Sequence, residues 1–184
     1  MGDGKLIMLP SQLVLPALMA LSAATPPGVA SQAPLPEYYA KAKILRLLLD
    51  YVEWPEGRAD QPMVVGVLEP SPFGEHLPRL LEKVVLRGGR PLRLRFLRGP
   101  SQITDCDVLF IPEGHEAALG GIMRALQDKP VLTIADTQGF ARRGVIVNLA
   151  IVDSRVRLEV NLAAMKRSGL MISPQVLKGA TLVD

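Results

Sequence analysis

The sequence holds a single cysteine, Cys106, and two histidines, His76 and His115, in 184 residues. One thiol cannot close an intramolecular disulfide, and two histidines without HxH or CxxC spacing offer no metal-ligand cluster, so neither metal nor cofactor is expected. Aromatics are equally scarce, with four Phe, three Tyr and one Trp. Only Phe96 falls among the densest arginines, Arg87, Arg90, Arg93, Arg95 and Arg98. A nucleic-acid surface interleaves stacking rings with its cations. This pattern reads instead as one solvated face of a strand, which excludes nucleic acid as the expected partner and leaves an anionic partner open.

Nucleotide and hydrolase signatures are missing as well. The first strand-to-helix loop, Glu69-Pro-Ser-Pro-Phe-Gly74, matches neither G-x-G-x-x-G nor G-x-x-x-x-G-K-[ST]. Its two prolines also remove backbone N–H donors that a phosphate cradle needs. None of Ser71, Ser101, Ser154, Ser168 and Ser173 sits in a G-x-S-x-G elbow.

What is present is apolar. Hydrophobic residues make up 48% of the chain, charged residues 21%, and the net charge is +3, which suits one globular domain with a full core. Lys5 precedes an apolar run from Leu6 to Leu21, followed by Ser22, Ala23 and Ala24. That is the layout of a secretory leader over residues 1–24, with cleavage after Ala24 or Ala30. Pro10, Ser11, Gln12 and Pro16 interrupt the run, so a retained membrane anchor is the lesser alternative. Residues 25–36 carry Pro26, Pro27, Pro34 and Pro36 and no charge, which reads as an extended linker. The folded domain is expected over residues 37–184.

Within it, Tyr38, Ala42, Leu45, Leu49 and Val52 fall at helical spacing, predicting a helix from near Glu37 to before Pro55. Lys41, Lys43, Arg46 and Asp50 are expected toward solvent or its margin. Met63 to Leu68 reads as a buried strand, and Ser71-Pro72 as the start of a helix through about Leu86. Further strands are expected around Leu92–Phe96, Asp107–Ile111 and Pro130–Ala135, with a helix from Glu116 to Gln127. Val145–Val152 and Arg155–Asn161 flank Asp153-Ser154, the signature of a hairpin. Short helices near Leu162–Arg167 and after Ser173-Pro174 close the chain. The alternation predicts a three-layer, Rossmann-like α/β domain with a mixed sheet of about six strands, ending in a β-hairpin and helices.

Two carboxylates lie at suggestive places. Asp136 follows a parallel strand at the end where such sheets present sites, and Glu159 lies within the last hairpin strand. Val156, Leu158 and Val160 alternate with Arg155, Arg157, Glu159 and Asn161. The polar set is either a solvated face with cross-strand ion pairs or, for Glu159 and Asn161, the floor of a pocket under the C-terminal segment. Neither carboxylate has an assigned partner, so no acid/base pair is defined. Tyr38, Tyr39, Tyr51 and Trp54 cluster in the first helix and its exit, suited to the core or to an interface.

The segment Tyr39-Ala-Lys-Ala-Lys-Ile-Leu-Arg-Leu-Leu-Leu-Asp-Tyr-Val-Glu-Trp-Pro55 resembles the opening helix of the YfiR-like family, which ends in a Val-Glu-Trp-Pro type of sequence. The resemblance continues in order through Val65-Gly-Val-Leu68, Pro72-Phe-Gly74 and Gly89-Arg-Pro91. It then runs through Cys106-Asp-Val-Leu-Phe-Ile111 and Pro130 to Asp136, with Gly139-Phe140. Arg155 to Leu162 and Ser168 to Ser173, with Leu177, complete it. It covers about residues 37–180.

The resemblance implies a non-enzymatic, periplasmic regulator that restrains an inner-membrane diguanylate cyclase, or a similar sensor protein, and so lowers cyclic diguanylate output. It also implies relief by an outer-membrane lipoprotein, a homodimer, and a small aromatic ligand. The residues expected to form a partner or ligand surface are Phe140, Glu159, Asn161, Leu170 and Ile172, then Tyr51 and Trp54. The alternative is a periplasmic small-molecule binder without a cyclase partner. Cys106 stands where the family often has a cysteine, but the others are missing, which removes redox control through an intramolecular disulfide. The helix exit also departs from the family's usual Phe or Tyr with Lys or Asn.

Overall fold

The computed structural model describes residues 35–55, 61–82, 84–86, 89–103 and 105–184. The expected leader, nearly all of the expected linker, and Arg87 lie outside them. The chain begins with α1 (Leu35–Tyr51), which runs directly into β1 (Val52–Glu53). There follow β2 (Met63–Leu68), α2 (His76–Leu81), β3 (Leu92–Leu97), β4 (Val108–Ile111), α3 (Leu119–Ala125) and β5 (Leu132–Ala135). The last third is β6 (Val147–Val152), β7 (Arg155–Asn161), α4 (Leu162–Arg167), β8 (Met171–Ile172), α5 (Pro174–Lys178) and β9 (Thr181–Val183).

Seven strands form one sheet in the order β3-β2-β4-β5-β6-β7-β9. The pairings from β3 to β6 are parallel, β6 and β7 are antiparallel, and β9 returns parallel to β7. All six expected strands are present. The seventh, β9, is three residues long and carries no periodic signal of its own. The hairpin turns through Asp153 (φ 49°) and Ser154 (φ 58°), both left-handed, which suits the twist of a two-residue connection.

Alternation along the central strands divides two cores. Val65, Val67, Val108, Phe110, Leu132 and Ile134 face α1, α2, α4 and α5. Leu68, Leu109, Ile111 and Ala135 face α3 and the loops beside it. The result is the expected three layers, because strands buried on both faces need apolar cover on both. Tyr38, Ala42, Leu45 and Leu49 on α1 and Val52 just after it are all buried, as their spacing predicts. Gly66 lies on the α3 face, where a Cβ would come within 2.5 Å of Cys106 Sγ and 2.8 Å of Leu97 Cδ1. Cys106 therefore fills space that a side chain at 66 would occupy, and burial pushes its thiol pKa above the ordinary value.

Some boundaries differ from expectation. α2 starts at His76 and not after Ser71-Pro72, because Ser71 Oγ accepts from Phe73 N (3.4 Å) and Gly74 takes a left-handed φ of 50°. It ends at Leu81, short of Leu86, since Val85 turns out to bridge Pro91. α3 begins at Leu119, later than Glu116, after a turn with Gly114 at φ 93°. The largest correction concerns Lys41. Its spacing places it toward solvent or its margin, yet it is only 3% exposed.

Candidate functional site

Doubly wound sheets take ligands beyond the C-terminal ends of their parallel strands, where neighbouring strands lead off to opposite sides. Here that place lies between β2 and β4. The loop after β2 drops Phe73 into it, fully buried, with its ring 4.6 Å from Phe110 and 5.8 Å from Tyr38, both edge-on. Next to the rings, the Lys41 ammonium reaches Asp136 Oδ2 at 3.0 Å and also pairs with Glu37 one turn earlier on α1. The Asp136 side chain is 1% exposed. Lys41 also lies 4.5 Å from the Tyr38 ring centre. Burial first, and then the Asp136 carboxylate, push the Tyr38 phenol pKa well above its ordinary value, so it stays protonated. The mouth of the sheet is thus occupied by an aromatic stack and a buried ion pair. Asp136, singled out from its position after β5, is engaged by Lys41 as a structural counter-ion.

The residues expected to share one surface are separated by the sheet. Phe140 is buried in the α3-side core, with Arg143 5.2 Å from its ring centre. Glu159 accepts from Asn148 Nδ2 at 3.0 Å across the hairpin. Asn161 caps α4 by accepting from Ala164 N (2.6 Å), and its Nδ2 donates to Ala141 O (2.8 Å). That ties the β5–β6 connection to the end of β7. Leu170 and Ile172 are buried in the opposite core, where Trp54 packs as well.

Those last residues meet Tyr51 and Trp54 at a seam. β1 and β8 pair antiparallel, Val52 opposite Ile172 and Glu53 opposite Met171. Ser173 N donates to Tyr51 O at 2.9 Å. Trp54 Nε1 donates to Asp107 O at 3.3 Å, while the Asp107 carboxylate accepts from Val64 N (2.8 Å) and Arg90 (3.1 Å). Gly169, at φ 71°, passes so close that a Cβ there would sit 3.4 Å from Pro55 Cγ. The Val-Glu-Trp-Pro exit is thereby stapled to both the C-terminal segment and the start of β4. The arginines of β3 lie as expected, with Arg93 and Arg95 exposed beside Phe96.

Apolar side chains also face solvent. On α1, Tyr39 (45% exposed), edge-on to His76 of α2 at 5.4 Å, and Leu47 (51%) reach solvent, and Met171 (62%) extends from β8. The i, i+4, i+8 spacing of Tyr39, Lys43 and Leu47 was readable in the sequence. Attention to the inward stripe hid it. Among the described residues no group of three His, Cys, Asp or Glu side chains could hold a metal ion, and no helix is long and apolar enough to cross a membrane.

The architecture places the chain among three-layer α/β domains with a mixed sheet. The family model described as YfiR/HmsC-like matches residues 38–181, and the chain belongs to that family, one of periplasmic regulators. Two solved structures share the fold. One is a conserved domain protein from Vibrio cholerae O1 biovar El Tor, 15% identical with a TM-score of 0.51, covering 80% of this chain and 60% of that one. The other is an ABC domain in complex with L-Trp from Streptococcus pneumoniae, 12% identical with a TM-score of 0.50, covering 66% of this chain and 55% of that one. The chain thus spans less than two thirds of either, and at these identities the likeness is one of fold.

Proposed function

We propose that this protein is a periplasmic, non-enzymatic regulator that binds the periplasmic sensor region of an inner-membrane diguanylate cyclase and holds its output down. The observation that carries this reading is family membership across residues 38–181. Tyr39 and Leu47 on α1 and Met171 on β8 are the exposed side chains we assign to the partner. Exposed aromatic and aliphatic side chains on a rigid element supply the desolvating anchors that such interfaces need. The seam fixes that surface, since α1 cannot shift without breaking the β1–β8 pairing. Family resemblance extends the reading to a homodimer and to relief by an outer-membrane lipoprotein.

Affinity capture from membranes, with cyclic diguanylate measured in parallel, tests this. Wild-type protein should recover a membrane cyclase, and its deletion should raise cyclic diguanylate. Leu47→Asp and Met171→Asp should each reduce capture about tenfold or more while melting within a few degrees of wild type. No membrane partner, together with unchanged cyclic diguanylate on deletion, would refute the reading.

A further inference from the structure

At the opposite, N-terminal ends of the parallel strands the chain leaves a hollow. A cavity of about 250 Å³ lies between the end of α3, the first residues of β5 and β6, and the end of α4. Leu126, Val131, Ile146 and Ala164, each no more than 6% exposed, supply apolar walls. Thr133, the polar side chain deepest among them, already accepts from Ile146 N at 2.9 Å. The walls therefore offer shape and apolar contact. Polar recognition has to come from the rim.

That rim is strongly one-signed. Arg124, Lys129, Arg143 and Arg167 line the cavity against one carboxylate, Asp128. Arg143 is held in place, its Nη2 donating to Glu116 O at 3.0 Å and its guanidinium beside the Phe140 ring. Among the described residues Arg124, Lys129 and Arg167 make no ion pair. Cations converging from three separate segments repel one another, and an anion bound between them relieves that repulsion. The volume falls below the roughly 300–1,000 Å³ of drug-sized sites, which suits a small ligand.

We propose that this cavity binds a small organic anion, its short apolar body against Leu126, Val131, Ile146 and Ala164 and its anionic head among Arg124, Lys129 and Arg167. Whether the head is a carboxylate or a phosphate, the recognition is the same: charge-assisted hydrogen bonds at the rim and apolar contact below. The proposal stands independently of the cyclase partner.

Titration calorimetry on the purified protein tests it with three probes: hexanoate, the neutral hexanamide, and inorganic phosphate. Hexanoate should bind saturably, with hexanamide and phosphate each weaker by about tenfold or more. Arg124→Gln and Arg167→Gln should each weaken hexanoate binding about tenfold. Ala164→Leu, which fills the floor, should abolish it. The arginine variants change exposed side chains and keep the test valid if Ala164→Leu fails to fold. No saturable binding of hexanoate would overturn the proposal. So would hexanamide or phosphate binding as tightly as hexanoate, or affinity unchanged in both arginine variants.

Discussion

The two ends of one sheet have been treated in opposite ways. At the C-terminal ends of the parallel strands, Phe73 plugs the position where such folds admit ligands, and Lys41 pairs there with Asp136 and Glu37. At the N-terminal ends, Arg124, Lys129, Arg143 and Arg167 stand around an open cavity with a single carboxylate among them. A paired buried charge is a structural element, because its partner supplies what water would have supplied. Cations around an apolar hollow without counter-ions among the described residues, as Arg124, Lys129 and Arg167 are, suit the binding of an anion. Charge type does not separate the two cases, since both ends use Lys and Asp. What separates them is whether the counter-ion comes from the chain itself.

The sharpest way to break the contrast is to open the closed end. Phe73→Ala removes a fully buried ring, and should lower the unfolding free energy by about 4 kcal/mol. The variant should also leave an apolar hole, detectable as thermal stabilisation by benzene that wild type does not show. Lys41→Met comes next. It strands the Asp136 carboxylate in the interior and should cost about 3 kcal/mol in chemical denaturation. Lys41→Met combined with Asp136→Leu should recover to within about 1 kcal/mol of wild type, since removing both charges also removes their desolvation. Equal losses in the single and double variants would show that the pair is not what closes the mouth.

Alkaline pH gives the smallest effect. The Cys106 and Tyr38 pKa values are raised in the folded state, so the protonated forms are favoured by folding. Their contribution is complete below the unfolded values and declines as pH rises above about 9 for Cys106 and about 10 for Tyr38. The melting temperature should fall through this window, less steeply in Cys106→Ala between pH 9 and 10, and less steeply in Tyr38→Phe above pH 10.

Much of the architecture was legible because it rests on local periodicity. The stripe from Tyr38 to Val52, the β-branched run at Met63–Leu68 and the Asp153-Ser154 hairpin each carry their own pattern. β9 and the β1–β8 pair were not legible, since two or three residues hold no period and owe their pairing to neighbours brought up by the rest of the chain. The grouping of candidate residues was harder still. Phe140 and Ile172 were expected on one surface, yet the sheet puts them in different cores.

By itself, the sequence determined the alternating strands and helices, the α1 core stripe, the missing nucleotide loop and the family resemblance. Each is a property of consecutive residues or of fixed spacings. Only the tertiary structure decided that Lys41 is buried and paired with a carboxylate 95 residues away, and that four cations from three segments ring one cavity. The reason is physical. Whether a charge is structural or available depends on its distance to a counter-ion and on its exposure, and both are set by chain segments far apart in the sequence.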